Sequence, residues 1–326
     1  MKQVVRLGLQ RVRDAVGSID PVFLRSPAFE SVPLSEVLGC SVTLKLETLN
    51  PVRSFKGRAT ETVMSALSRQ GRFSSVVCAS AGNLGQALAC SGARRGIPVT
   101  VFAAEAASTQ KVARMRSLGA TVHLEGDDIE GPRLLARAHA ARHGSYLVED
   151  SLDLATCEGA ATIGLELVER KVRFDVVLLA LGGGALASGV GYVLRELCPR
   201  TQVIAVQPVG APAMALSWRK RAVVTTDTID TIADGVAGRY PIPEVLEDLL
   251  PIVHDVVLVD DDSIKEGMRH LFELSGLVVE PSAALGVAAI LENRERFQGL
   301  TVATIVCGSN VSSGDFRRWA LTPPTS

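Results

Sequence analysis

The spacing of apolar residues changes repeatedly along the chain, from short continuous or alternating runs to runs with a helical period, and this predicts strands and helices in succession. Two stretches follow one plan. Residues 75–102 read as a strand "SVVCAS", a glycine turn "AGNLG", a helix "QALACSGARRG" and a strand "PVTVFA". Residues 174–207 read as a strand "FDVVLLAL", a turn "GGGA", a helix "LASGVGYVLREL" and a strand "TQVIAVQ". Each is a βαβ unit with glycine at its first turn, which predicts an α/β fold with largely parallel sheets. Between the units, "TQKVARMRSLGATVHLEG" predicts a helix and a strand, and the helix "GPRLLARAHAARHG" leads to a strand at "YLVED". Residues 158–171 predict a further helix. Towards the end, "DSIKEGMRHLFELSG" and "EPSAALGVAAILENRERF" read as helices, and "TVATIVCGSN" as a buried strand ending in a turn. No low-complexity linker separates these elements, so the units are expected to pack together.

Composition narrows the class. At 326 residues the chain can build two sizeable cores, and 47% apolar against 21% charged residues suits a soluble globular protein. A net charge of −1 gives no global field for nucleic acid or an anionic membrane. The basic stretch "WRKR" at 218–221 reads as a solvated helix end. The N-terminus interrupts its apolar residues with charges and lacks the core of a signal peptide. Residues 176–194 are free of charge and long enough for a membrane span, but three consecutive glycines at the centre favour strand, turn and helix. The six cysteines form no CxxC pair, and no histidine cluster accompanies them, so reduced thiols in the cytoplasm are expected and a zinc site is not.

Four stretches carry candidate chemistry. In "GGGA" at 182–185, glycines between strand and helix let backbone N–H groups converge on an anion at a helix N-terminus. The spacing also fits a loose dinucleotide fingerprint, but the next strand ends in Gln207 and Pro208 rather than an acid that would hold ribose hydroxyls. "SAGNLGQA" at 80–87 is a second glycine turn, where Ser80, Asn83 and free amides suit a carboxylate or phosphate; Asn83 equally suits a loop cap. "CGSN" at 307–310 places a thiol at the C-terminal end of a strand, where open α/β sheets bind ligands. "NPVRSFKGRATET" places Lys56 between an aromatic and a glycine at a helix start. Asp234 and Glu280, beside small residues, each read as a cap or turn former.

Together, and in this order, the Ser-Phe-Lys lysine, the Ser-Ala-Gly-Asn turn, the triple-glycine turn and the Cys-Gly-Ser-Asn strand end resemble the pyridoxal-phosphate enzymes of fold type II. The resemblance is to the tryptophan synthase β family, in its serine/threonine dehydratase and serine racemase branch. It spans roughly residues 20–315, with "IADGV" and "EPSAALGVAA" adding to it. It implies two domains, each a largely parallel open sheet flanked by helices: a small one at 44–147 and a large one at 1–43 and 148–326. It implies pyridoxal 5'-phosphate as cofactor, with Lys56 the catalytic lysine that holds it as a Schiff base and Phe55 and Gly57 shaping the approach. The amides of Gly182, Gly183, Gly184 and Ala185 would cradle the phosphate, Asn83 would meet the ring hydroxyl, and Cys307 would stand at the pyridine nitrogen. Ser80, Ala81, Gly82 and Asn83 would receive the substrate carboxylate. The implied reaction is β-elimination from a 3-hydroxy amino acid, giving a 2-oxo acid and ammonia, in a homodimer.

The departures from that pattern refine the expectation. Racemases of the branch carry a serine base where this chain has Ala81, which favours elimination over racemisation. Leu84 stands where histidine is common in threonine dehydratases, so phenylserine, hydroxyaspartate or a hydroxyectoine breakdown product stay open beside serine and threonine. Arg239, in "AGRYP", reads as a surface-loop arginine or as a partner for a second substrate carboxylate. Gln207 and Ala213 replace the carboxylates of the branch's cation site, so no metal is expected there. Leu181 replaces the first of four usual glycines. The length leaves no room for the regulatory domain of biosynthetic threonine dehydratases, so a catabolic role without isoleucine control is expected. An amino-acid racemase is the nearest rival; β-replacement enzymes, a nicotinamide-dependent dehydrogenase and a non-catalytic binding protein rank below it.

Overall fold

The computed structural model describes residues 5–322; the parts of the expected large domain at 1–4 and 323–326 lie outside them. Among the described residues, ten strands form two sheets. β1 (Ala28–Glu30), β2 (Ser41–Leu46), β7 (Val176–Ala180), β8 (Gln202–Pro208), β9 (Asp255–Val259) and β10 (Thr301–Val306) make a six-stranded sheet in the order β1-β2-β10-β7-β8-β9. β3 (Val76–Ala79), β4 (Val99–Ala103), β5 (Thr121–Leu124) and β6 (Tyr146–Val148) make a four-stranded sheet in the order β5-β4-β3-β6. Every pairing is parallel except β1 with β2. The predicted α/β class and both βαβ units are therefore present.

The apolar runs explain the layering. Val176, Val177, Leu178 and Leu179 in β7, and Val302, Ala303, Ile305 and Val306 in β10, are all buried, as parallel strands covered by helices on both faces require. Burying a side chain such as Leu178 or Leu179 is worth roughly 1.5–3 kcal/mol, so this central pair of strands anchors the larger core. A separate cluster of Val76, Cys78, Leu88, Val101 and Met115 fills the space under the smaller sheet.

Several element ends differ from expectation. The boundary expected between residues 43 and 44 falls inside β2, whose residues through Leu46 pair with β10, so this strand belongs to the larger sheet along its whole length. The helix expected from 158 begins at Leu154, because Asp153 accepts a hydrogen bond from Ala155 N at 3.1 Å and starts it a turn earlier. The helix expected over 280–297 breaks at Asn293 into Pro281–Glu292 and Arg294–Phe297. "WRKR" does close a helix, Ala213–Lys220, with Arg221 in the left-handed region behind it. The uncharged stretch 176–194 is strand, turn and helix, and among the described residues no helix is long and apolar enough to cross a membrane.

Candidate active site

The C-terminal ends of β3, β6, β7, β8 and β10 meet at one cavity of about 270 Å³, so both sheets contribute to its walls. Phe55, Lys56, Ser80, Ala81, Gly82, Asn83, Gly182, Gly183, Gly184, Ala185 and Cys307 line it, whereas Gly57, Leu181, Ala213 and Arg239 do not.

Lys56 is the first residue of the helix Lys56–Gln70. The segment before it is tied to the end of β10: Ser54 bridges Gly308, and Phe55 N donates to Cys307 O at 3.0 Å. Asn50 Nδ2 also donates to Ser54 O at 3.1 Å. These bonds fix where the helix starts and send the lysine side chain into the cavity, with Nζ 4.8 Å from the Phe55 ring centroid and in an ion pair with Asp150. Gly57 serves another purpose than the one expected. A Cβ there would lie 2.2 Å from the Phe23 ring, so its bareness lets Phe23 pack against the helix start.

Two residues on, Arg58 is fully buried and holds the same helix from below. It donates to Glu47 through Nε and a terminal nitrogen at 2.8 Å each, and to Glu166 Oε1 at 2.5 Å. Burial disfavours its charge, but Glu47 and Glu166 outweigh that and hold the guanidinium above its ordinary range. Glu166 also meets Lys45. Burial raises its carboxyl, yet Arg58 and Lys45 together bring it below the ordinary range.

The Ser-Ala-Gly-Asn turn joins β3 to the helix Asn83–Arg95. Ser80 Oγ accepts from Gly82 N at 3.2 Å and Gly85 N at 3.1 Å, which shapes the turn. Asn83 is no loop cap: its Nδ2 donates to Glu280 Oε1 at 2.7 Å, and its Oδ1 accepts from Asn310 Nδ2 at 2.8 Å. Glu280 likewise caps nothing. It sits at the head of the helix Pro281–Glu292, but its carboxylate points inward and its Oε2 accepts from Asn310 N at 3.1 Å. Burial raises this carboxyl; Lys111, Asn83 and Asn310 N oppose the shift without cancelling it. Lys111 Nζ pairs with Asp234 Oδ2 at 2.5 Å, and burial lowers its amine less than Asp234 and Glu280 raise it.

At the triple-glycine turn, Gly184 adopts φ +109°, where an L side chain is strained, and a Cβ on it would reach within 2.4 Å of Val245. A Cβ on Gly182 would lie 2.9 Å from Val236 Cα, so the turn is bare by necessity. The helix Ala185–Leu197 begins there, and Ala185 N donates to Ser151 Oγ at 3.0 Å. Cys307 is buried, and burial, with Glu280 adding to it, pushes its thiol far above the ordinary range and keeps it neutral.

The secondary candidates divide. Gln207 Oε1 accepts from Ala215 N at 2.9 Å and Ala213 is buried, so both serve packing beside the cavity. Leu84 touches the cavity and also belongs to the smaller core. Arg239 turns to Asp128 and to Asp227 O rather than into the cavity. Among the described residues, no group of three or more His, Cys, Asp and Glu side chains is arranged to hold a metal. Sequence reasoning missed Asp150, Ser151 and Lys111, none of which stands in a distinctive motif, and it quoted Asn310 in Cys-Gly-Ser-Asn without giving it a role.

Comparison with known proteins agrees with this geometry. The family described as "Pyridoxal-phosphate dependent enzyme" matches residues 19–308. An L-threonine ammonia-lyase of Thermotoga maritima is 33% identical over 303 residues, 93% of this chain and 75% of that protein. A phenylserine dehydratase of Ralstonia pickettii is 32% identical over 296 residues, 90% of each chain. Maize serine racemase superposes with a TM-score of 0.89 at 27% identity, covering 95% of each chain. The cavity fits such a cofactor on its own terms: a bare glycine turn opens a helix N-terminus that suits a phosphate, a lysine amine enters it, and a buried, neutral thiol lines it.

Proposed function

The chain belongs to the family of pyridoxal-phosphate dependent enzymes, and from that premise we propose that it eliminates water from a 3-hydroxy amino acid, such as threonine, serine or an analogue, to yield a 2-oxo acid and ammonia. The single observation that carries this reading is the convergence of Lys56, the Ser80–Asn83 turn, the Gly182–Ala185 turn and Cys307 on one cavity. Bound there, pyridoxal phosphate supplies the electron sink that makes a Cα proton removable.

The chain's own residues would divide the remaining work. Gly182, Gly183, Gly184 and Ala185 present N–H groups to the phosphate at a helix N-terminus. Ala185 N would then exchange Ser151 Oγ for a phosphate oxygen, or share the two. Ser80, Ala81, Gly82 and Asn83 stand at a second helix N-terminus and receive the substrate carboxylate. Asn83 reaches the cofactor's ring hydroxyl while Glu280 and Asn310 fix its amide orientation. Lys56 would hold the cofactor and would take the Cα proton on Nζ. Cys307, neutral and buried, would give the ring nitrogen an uncharged partner, which suits elimination over transamination. The β-hydroxyl would leave as water by taking that proton back from Nζ, and the enamine, once released, would hydrolyse to the 2-oxo acid and ammonia.

Racemisation needs a second proton carrier on the opposite face of the substrate. Ala81, whose methyl lines the cavity, supplies none. The same reading takes residues 44–147 as the smaller unit and 1–43 with 148–326 as the larger, adjusted so that β2 stays with the larger sheet. It also includes a homodimer, catabolic use and a cytoplasmic location, the last supported by six unpaired cysteines. The test is to incubate the cofactor-loaded protein with L-threonine and L-phenylserine in deuterated water. A 2-oxo acid with no recovered substrate of inverted configuration supports a lyase; inverted, deuterated substrate without 2-oxo acid would establish a racemase.

A further inference from the structure

β6 ends at Val148, and the chain then crosses from the smaller sheet towards the helix Leu154–Glu169. On that crossing, Asp150 turns its carboxylate into the cavity. Its Oδ2 accepts a hydrogen bond from Lys56 Nζ, and the same oxygen lies 3.8 Å from where a Cβ on Gly183 would stand. Its Oδ1 is buried and, among the described residues, has no hydrogen-bond partner. The lysine side chain is 12% exposed and the aspartate 30%. One carboxylate therefore pairs with the amine and faces the space beside the glycine turn.

The other titratable groups around the pair do not compete for the lysine. The thiols of Cys78, Cys157 and Cys307 are all pushed up by burial and are neutral. Asp153, raised by burial, bonds to Tyr146 Oη and Ala155 N. Glu280 bonds to Asn83 and Asn310, and Arg6 pairs with Asp248. Asp150 is the carboxylate in contact with Lys56.

We propose that Asp150 is a positioning residue for Lys56, pairing with Nζ whenever the amine is not covalently engaged. The proposal rests on the reading of Lys56 as the cofactor-holding lysine. Two consequences follow from Coulomb attraction between opposite charges in contact. Before loading, the ion pair must be broken before the amine can attack the cofactor's aldehyde. During turnover, the proton that leaves Cα forms an N–H bond on Nζ while the C–H electron pair stays with carbon, and the resulting ammonium has its counter-ion waiting. Asp150 thus slows the first event and favours the second.

The distinguishing measurement is the rate at which the cofactor-free protein links pyridoxal, which has no phosphate and so does not report on repulsion between Asp150 and a phosphate group. The adduct is fixed with borohydride and located by peptide mass. Asp150→Asn links pyridoxal to Lys56 faster than the wild type at pH 7, by about tenfold, the effect of removing one close opposite charge. Asp150→Ala gives the same acceleration, and Asp150→Glu returns the rate towards wild type. A purely structural Asp150 would give slower linkage in the variants. Unchanged or slower linkage in both Asp150→Asn and Asp150→Ala, with wild type labelled at Lys56, overturns the role of Asp150 alone. A wild type labelled elsewhere, or not at all, overturns the reading of Lys56 and this role with it.

Discussion

Asn83 Nδ2 donates to Glu280 Oε1 at 2.7 Å, joining the turn after β3 of the smaller sheet to the head of a helix packed on the larger one. This contact crosses the cavity between the two halves of the site, and both of its residues also bond to Asn310. Truncating Asn83 to alanine leaves a buried carboxylate short of a donor, at a cost of about 1–3 kcal/mol. Asn83→Ala is expected to lower the melting temperature of the cofactor-free protein and to weaken pyridoxal-phosphate binding by at least about tenfold, measured by equilibrium absorbance titration.

Glu280 gives a pH dependence with a definite sign. Its carboxyl is raised in the folded protein by burial, so in the window just above the ordinary carboxyl range the folded state binds more protons than the unfolded state. Stability from this group is present below its unfolded pKa and is lost as pH rises through its folded one. Glu280→Gln removes that loss. The melting temperature of the variant minus that of the wild type is expected to grow as pH is raised from about 4.5 towards neutrality. A difference that stays flat or shrinks would contradict the assignment.

Arg58 carries the largest mutational penalty expected outside the cavity. Arg58→Ala leaves Glu47 and Glu166 buried around a missing cation, which costs about 3–5 kcal/mol. Glu166→Gln, removing one of two acids, is expected to cost less. Urea denaturation of the two variants checks the order. Because Glu166 is depressed by Arg58 and Lys45, its own contribution is present above the ordinary carboxyl range and is lost as pH falls through its folded value, so the wild type's excess stability over Glu166→Gln is expected to vanish in acid.

The glycine turn separates phosphate binding from folding. At Gly183 a Cβ would stand 3.0 Å from Ser151 Oγ, a side chain able to give way, whereas Gly184 at φ +109° meets Val245 at 2.4 Å. Gly183→Ala is expected to fold and to lose affinity for pyridoxal phosphate by about tenfold or more while binding phosphate-free pyridoxal nearly as before. Gly184→Ala is expected to lower yield of folded protein.

Cysteine reactivity offers a chemical check on burial. Cys78 and Cys157 are pushed up to about 12, and Cys307 further, all chiefly by burial. A thiolate is the reactive form. Alkylation of the native protein with iodoacetamide at pH 8 is expected to spare these three and to label Cys90 and Cys198, which are partly exposed. Cys307→Ser, one neutral group for another, is expected to keep activity within about threefold.

What was readable in the sequence had a local cause. The triple-glycine turn, Ser-Ala-Gly-Asn and Cys-Gly-Ser-Asn each follow a β-rich run, so residue type and strand end appear side by side. The residues that escaped notice act over long separations. Asp150 looks like any acid after a strand until Lys56, 94 positions away, is brought against it. Glu280 reads as a helix cap because its inward turn depends on Asn83 and Asn310. Gly57 beside Lys56 suggests chemistry, and only the approach of Phe23 shows that it serves packing. The edge at 43/44 failed for the same reason: β2 is assigned by its partner β10, which lies at the far end of the chain.

The most direct test of the account is to measure ammonia and 2-oxo acid together from the cofactor-loaded protein on a panel of 3-hydroxy amino acids, with Lys56→Ala alongside. The account predicts equal amounts of both products from at least one panel member and none from Lys56→Ala. Equal release by wild type and Lys56→Ala, or inversion at Cα with neither product, would contradict it.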